Sequence, residues 1–489
     1  MNAKSHPRVA LLFLLAITST GLSAQTPAAQ ALIARAARAM GGAGALDLLR
    51  SKTVEFNSAA FGVGQEETFL SPARATISFG RIVMDYAGTR QLTTQEARAV
   101  NGTVSRQRRV TLSTMSMFEN NGALTMDGAG VSAGLERALS LQLERILLAA
   151  VNQGSSATLL PSRMLRGEAV SGIRMPLGPD TVSLWFDRTT GLPLASETVT
   201  DDGVLGDRRT LTWYTRWQDA GGLSLPRQID VEVNGRLQSH TVLTSAAINQ
   251  SLDQALFVIP DSMVARAPRP PAAPPAIGVT LVNLAPGVWR AEGGTHFSLV
   301  VEQGPGLLVV EAPQSSARSS AVLDTQRTRF PGRTVTGVVL THHHWDHSGG
   351  IRGYMARGIR VIAHHRNAGF IRGIAAARKT VAPDRLSRGA PVPAVVSVRD
   401  SLVLGTGAGR VVLYPLASVH AEGLLAAWLP SAGVVFTSDV VSPAANVAPP
   451  RLGSAELVAF AKALGLAPTK YVGGHGLVID WSALESAAR

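Results

Sequence analysis

The sequence predicts a two-domain α+β chain, with an antiparallel β-rich N-terminal half carrying one or more helices and a C-terminal half of apolar strands alternating with helical stretches. Three observations predict it. Turn dipeptides punctuate residues 53–248, a proline-rich segment divides the chain, and nine of the 11 histidines lie beyond that segment. At roughly 100–200 residues per domain, 489 residues suit two or three domains. With 45% apolar residues the chain can bury a core, which excludes a disordered tail. The absence of Cys excludes a disulfide scaffold, a thiolate nucleophile and any thiolate-held metal or cluster, so a metal here must be held by His and carboxylates.

Residues 1–24 have the parts of a secretory signal. Lys4 and Arg8 precede the apolar run Val9–Ile17, and small residues end at Ala24. The run is too short to cross about 30 Å of hydrocarbon. Cleavage near Ala24 and a periplasmic or secreted destination are therefore expected, and in an oxidising compartment a Cys-free chain cannot mispair.

Residues 25–265 are read as a β-rich accessory domain. Ala28–Met40 is rich in Ala and stops at Gly41-Gly42, as a helix does. From about Thr53 to Ile248 a string of strands follows, separated by Asn101-Gly102, Asn121-Gly122, Asp187–Gly191, Gly221-Gly222 and Asn234-Gly235. The segment closes with Ala255–Pro260. One helix, an antiparallel meander and this closing segment resemble the curved half-barrel of periplasmic lipoprotein-carrier domains, which implies either a lipid-binding half-barrel or a β-rich accessory domain without a ligand.

Residues 266–276 hold five prolines and predict an extended linker. The linker also divides the charge. Residues 25–265 carry 22 basic and 22 acidic groups, whereas residues 266–489 carry 22 basic and 12 acidic. The excess that gives the chain its net charge of +12 thus lies in the C-terminal half, apart from Lys4 and Arg8. It is densest in the segment 352–388, where Arg352, Arg357, Arg360, Arg366, Arg372, Arg378, Lys379, Arg385 and Arg388 face only Asp384. The two readings are a solvated basic face, or a field for an anionic small-molecule substrate or an anionic membrane surface. Export argues against a nucleic-acid partner.

Residues 277–489 carry the chemistry. An apolar strand at Thr336–Thr341 runs into His342-His343-His344-Trp345-Asp346-His347-Ser348-Gly349-Gly350. Strand geometry points His342 and His344 to the same side, and the following turn brings Asp346 and His347 to a second position beside them. His420 follows the apolar Val411–Leu413, Asp439 follows Val434–Ser438, and His475 follows Tyr471-Val472. Each therefore sits at the end of a strand, where side chains from separate strands converge on one sheet edge.

This order of residues resembles the metallo-β-lactamase-fold hydrolase superfamily. The resemblance implies an αββα sandwich, with one zinc held by His342, His344 and His420, a second by Asp346, His347 and His475, and Asp439 bridging. It further implies two zinc ions sharing a hydroxide that attacks an ester, lactone, thioester or related bond, with Asp346 orienting the nucleophile and taking its proton. His-rich ligation favours zinc over iron or manganese. The alternatives are a β-lactamase-type amide hydrolase and a periplasmic lipid- or lipoprotein-binding protein with an accessory metal domain. Glu311 stands where the family usually has a supporting Asp, His420 lacks the usual Gly-His-Thr-x-Gly setting, and Ser438-Asp439 replaces Gly-Asp. His343, His364 and His365 are read as supporting or surface residues, and Ser348 as a helix cap. His296, just before a first-hairpin strand, is left open as a residue facing the cleft.

Overall fold

The computed structural model describes residues 21–267 and 277–489, with the side chains of residues 21–26 left undescribed. The expected signal segment and the prolines of the expected linker therefore lie mostly outside the described residues.

The helix Gly21–Ala39 buries Ala29, Ile33, Ala36 and Ala37, an i, i+4 stripe that packs on a sheet. It ends where expected. Gly41 and Gly42 take φ of 116° and 102°, and a Cβ on Gly41 would lie 2.2 Å from the carbonyl oxygen of Gly222. Glycine is needed here for both its backbone angle and its lack of bulk.

That sheet has thirteen strands, antiparallel throughout. The chain starts in the middle with Ser51–Phe61 and steps outward strand by strand to Ala123–Met126. It then jumps to the opposite edge at Thr158–Leu165 and steps back until Arg236–Ile248 pairs with Ser51–Phe61. At Asn121-Gly122 and Asn234-Gly235 both residues have positive φ, the turn conformation whose twist matches antiparallel strands.

The expectation of an unbroken string of strands fails at residues 129–152, which hold the helices Ala129–Ala133, Leu135–Ser140 and Leu143–Asn152. Leu135, Leu139, Leu143, Ile146, Leu147 and Ala150 are buried at helical spacing. Gly128, Gly130 and Gly134 at the start of this stretch read as turns in the sequence and hide that period. The closing segment begins in the 3₁₀ turn Gln254–Phe257, whose Phe257 packs with Val83, Leu92 and Val110.

The C-terminal region is an αββα sandwich. A seven-stranded sheet runs from Thr280–Ala285 to Val395–Val398, antiparallel over its first four strands and parallel over the rest. A six-stranded sheet runs from Leu402–Leu404 to Ile479–Asp480. Leu299, Val301, Leu308, Val310 and Val339 of the first sheet meet Leu413, Leu425, Ala427, Leu429 and Phe436 of the second in one fully buried layer. The alternate residues Val300, Val309 and Val338 turn outward onto Val322 and Leu323 of the helix Ser316–Arg329. On the far side, Val412, Trp428 and Val435 pack on Leu457 and Ala461 of Arg451–Ala463. Strands buried on both faces have no polar face to show, so they read as continuous apolar runs.

The two regions interlock. Residues 201–207, at the turn between Pro193–Asp202 and Gly206–Asp219, push Val204 into the C-terminal core. There is no room for a Cβ on Gly203, which would fall 2.3 Å from the carbonyl oxygen of Gly349. Lys379 pairs with Asp201, and Thr380 Oγ1 donates to Asp207 at 2.7 Å. Among the described residues no helix is long and apolar enough to cross a membrane.

Candidate metal centre

The sheet edge collects the predicted residues as the strand ends imply. The strand Thr334–Leu340 stops at Thr341, and His342 and His344 follow with ring centroids 4.6 Å apart. A short helix, Trp345–Ser348, then turns Asp346 and His347 inward. Tight packing holds that turn, because a Cβ on Gly349 would lie 2.3 Å from the carbonyl oxygen of Gln314 and one on Gly350 would lie 2.4 Å from Ser319 Oγ. His420 arrives from the loop after Val411–Leu416, Asp439 from the loop after Val434–Phe436, and His475 from the loop after Lys470–Val472.

Two sets of four donors result, beside a smaller group of Glu311, His342 and His347. His342, His344, His420 and Asp439 form one, and His296, Asp346, His347 and His475 the other, with the donor atoms of each set lying within 4.8 Å of one another. Asp439 stands between them. Its Oδ2 is 3.0 Å from His347 Nε2 and 3.6 Å from His420 Nε2, while its Oδ1 is 3.4 Å from His475 Nε2. All seven residues predicted from sequence are brought together. His296, left open there, joins them with its ring centroid 4.0 Å from that of His475 and its Nε2 3.3 Å from Asp346 Oδ2. The available signal was a histidine in a Gly-Gly-Thr-His loop just before a strand of the same sheet.

The opposite ring nitrogens are anchored, which aims the free ones. Thr341 Oγ1 donates to Glu311 at 2.6 Å and so accepts from His342 Nδ1 at 3.0 Å. His475 Nδ1 donates to the Thr295 carbonyl at 2.8 Å. His347 Nδ1 lies 3.0 Å from Ser438 Oγ and 3.6 Å from Glu311. This gives the departures at Glu311 and Ser438 a physical role. Glu311 reaches both a threonine relay and a ligand ring, and Ser438 supplies a hydroxyl that glycine lacks. Ser438 takes φ of 57°, a left-handed angle that costs a non-glycine residue about 1–2 kcal/mol. Gly474 makes space for it, since a Cβ there would lie 2.6 Å from Ser438 Oγ.

His344 is anchored the other way round. Its Nε2 lies 2.9 Å from the backbone carbonyl of Glu66, in the N-terminal region. A carbonyl can only accept, so Nε2 carries the proton and Nδ1 presents a lone pair. Among the described residues, that Nδ1 is buried without a partner, an arrangement costly for a polar atom unless a cation fills the space. His343 Nε2 donates to the same carbonyl at 2.8 Å, and His343 belongs to neither donor set. His364 and His365 stack on each other and likewise stand outside both sets.

Charge in the cluster is matched internally. Burial, with neighbouring imidazoles, pushes His342 well below the ordinary histidine value and His420 down to about 4. For His347, burial favours the neutral ring, but hydrogen bonds to Asp439 and Glu311 outweigh it and raise the pKa to about 10. Burial likewise opposes ionisation of Asp346, yet hydrogen bonds from His296 and Gln65 and the charge on His347 hold it below the usual carboxylate range. The ionised Asp346 and Asp439 and the neutral rings of His342 and His420 form a cation-seeking site, in which His347 is the protonated exception.

Residues 291–475 match the family model described as the metallo-beta-lactamase superfamily. The C-terminal region carries the metallo-β-lactamase fold. A curated relative, the 2,4-dinitroanisole O-demethylase subunit alpha of Nocardioides sp. (strain JS1661), is 25% identical over 195 residues, which is 38% of this chain and 55% of that protein. The chain thus spans about half the length of the curated relative it matches. Similar solved structures include the metallo-β-lactamases TMB-1, at 17% identity and a TM-score of 0.34 over 43% of this chain and 95% of that one, and FIM-1 from Pseudomonas aeruginosa, at 17% identity and 0.33 over 44% and 95%.

The basic segment is less of a free field than its composition suggests. Arg352 is buried and pairs with Asp384 at 2.6 Å, Arg366 pairs with Glu422 at 2.6 Å, and Lys379 pairs with Asp201.

Proposed function

We propose that the protein is an exported hydrolase that uses two zinc ions to cleave an ester, lactone, thioester or related bond in a small molecule. The observation that carries this reading is the pair of four-donor sets meeting at Asp439. His342, His344 and His420 would hold one ion and Asp346, His347 and His475 the other, with Asp439 touching both. Such ions supply Lewis acidity and a water that loses its proton near neutral pH. The donor set, all imidazole and carboxylate, suits zinc.

The chain's own residues do the rest. Asp346 is the partly exposed carboxylate of the cluster, held ionised between Gln65, His296 and His347, so it orients the attacking water and accepts its proton. His420 and His475 are partly open to solvent, which gives a substrate access to the cluster. The exposed Val419 and Leu477 stand beside them in sequence and offer apolar contacts to a substrate's carbon skeleton.

The test is metal analysis of the purified protein together with a hydrolysis panel of esters, lactones, thioesters, β-lactams, phosphodiesters and sulfate esters. An aryl ether belongs in the panel because the demethylase relative is named for one. At least one substrate should turn over, and His342→Ala or Asp439→Ala should reduce that turnover by about 10³-fold or more, several kcal/mol of transition-state stabilisation. A protein that retains no metal and is indifferent to both substitutions would sink the reading.

A further inference from the structure

The turn after the strand Ser51–Phe61 leaves the N-terminal sheet and lies across the metal centre. Residues 62–69 touch two of the loops that bring the donors in. Gly64 lies against the Trp345 ring, where a Cβ would be 2.3 Å from Cδ2, and its carbonyl accepts from the Trp345 backbone N–H at 3.1 Å. Gln65 Nε2 donates to Asp346 Oδ1 at 2.7 Å. The Glu66 carbonyl takes N–H bonds from His343 and His344. The Glu67 carbonyl accepts from the Glu422 backbone N–H at 2.7 Å, two residues beyond His420. Phe69 closes the outer side, with its ring centroid 5.8 Å from that of Phe370.

The turn is itself pinned. Glu66 is 1% exposed; one carboxylate oxygen accepts from the Gly64 N–H at 2.9 Å and the other from Arg236, on the strand Arg236–Ile248. Arg236 touches no donor of the cluster, so its link to the centre runs through Glu66.

We propose that residues 62–69 are a working part of the metal centre, in which Gln65 positions Asp346 and the Glu66 carbonyl fixes His344 as the tautomer whose Nδ1 is free to bind metal. The proposal rests on the metal-site reading above and makes the N-terminal sheet a supplier of supporting groups. A hydrogen bond to a ligand's remote atom fixes its orientation and basicity, and losing such a partner typically costs about 10–100-fold in metal affinity or activity. An amide N–H pointing at Asp346 Oδ1 leaves Oδ2 turned toward His296 and His347, the side on which the donors gather.

The experiment is competition for Zn²⁺ between the full-length protein and a chromophoric chelator, with the melting temperature of each metal-free variant recorded alongside. Gln65→Met keeps the side chain's length and removes the donor, Arg236→Met unpins Glu66 from a distance, and Leu70→Ala alters an 81% exposed neighbour as a control. Gln65→Met should weaken Zn²⁺ retention by about 10–100-fold and lower kcat more than it raises KM. Arg236→Met should weaken retention severalfold, and Leu70→Ala should change nothing, with all three melting like the parent. Wild-type Zn²⁺ affinity in both Gln65→Met and Arg236→Met overturns the proposal, as does a loss that only follows a lowered melting temperature. His342→Ala in the same assay separates the two failures. If it too retains Zn²⁺ as the parent does, the metal-site reading has failed, whereas loss in His342→Ala alone leaves that reading standing without this one.

Discussion

The two regions bury their sheets to different extents. Both regions pair strands mostly in chain order, but the N-terminal sheet leaves most strand positions half-exposed, as in Arg90–Arg98, where only Leu92 and Ala97 are buried. The C-terminal sheets bury whole strands, as in Gly306–Val310 and Leu424–Leu429. A sheet enclosed on both faces fixes its strand ends closely, and there the metal donors stand. A sheet open on one face serves the site only through its turns, at residues 62–69 and 201–207. The difference assigns precision to one region and support to the other.

The largest expected effect tests the enclosure directly. Phe436 is fully buried between the C-terminal sheets, three residues before Asp439, while Phe79 on the N-terminal sheet is 54% exposed. Phe436→Ala should destabilise by about 3–5 kcal/mol, and Phe79→Ala should stay within about 0.5 kcal/mol. Denaturant melts of the two variants check this. Equal losses would mean that the N-terminal sheet is covered on that face by something else.

The C-terminal architecture was legible because each donor follows an apolar strand, so ligand order and strand order reinforce each other along the chain. Three of the hairpin turns of the N-terminal sheet were legible for a local reason, since Asn-Gly pairs carry their own backbone preference. The missing pieces were not local. Gln65 and Asp346 meet although they are 281 positions apart, and nothing at a Gly-Gln-Glu-Glu turn announces a partner at that distance. The helices of residues 129–152 were hidden because their glycines signal turns while their leucines signal a helix. His296 could be seen as a candidate, but its place beside His475 depends on how two separate loops fold together.

An intermediate effect tests how the regions are joined. Val204 belongs by chain to the N-terminal sheet and by packing to the C-terminal core. Val204→Ala removes two buried carbon groups' worth of apolar contact, about 1.5 kcal/mol. Zn²⁺ stabilises whichever unit holds the donors. In calorimetry, Val204→Ala should therefore lower the transition that Zn²⁺ raises. If only a Zn²⁺-insensitive transition moves, the turn at 201–207 is a surface contact and the regions unfold separately.

The smallest effect concerns the one acidic group within the basic segment. Asp384 receives two hydrogen bonds from the guanidinium of the buried Arg352, at 2.6 and 3.1 Å, and Arg352 also holds the carbonyls of Ile374 and Ala375 at the end of the helix Ala368–Ala376. Burial works against the ionised carboxyl, but the Arg352 pair and the Ser387 N–H outweigh it and lower its pKa from 3.8 to about 2. A carboxyl whose folded pKa lies below its unfolded value contributes stability that is fully present above about pH 4 and lost as pH falls toward about 2. Because Asp384 is partly open to solvent, the contribution is about 1 kcal/mol rather than the full value of the shift. Asp384→Asn should therefore lower stability at pH 7 and narrow the gap to the parent between pH 4 and pH 2. An unchanged gap across that range would show that Arg352 is held by its two carbonyls alone, leaving Asp384 as a solvated neighbour in an otherwise basic surface.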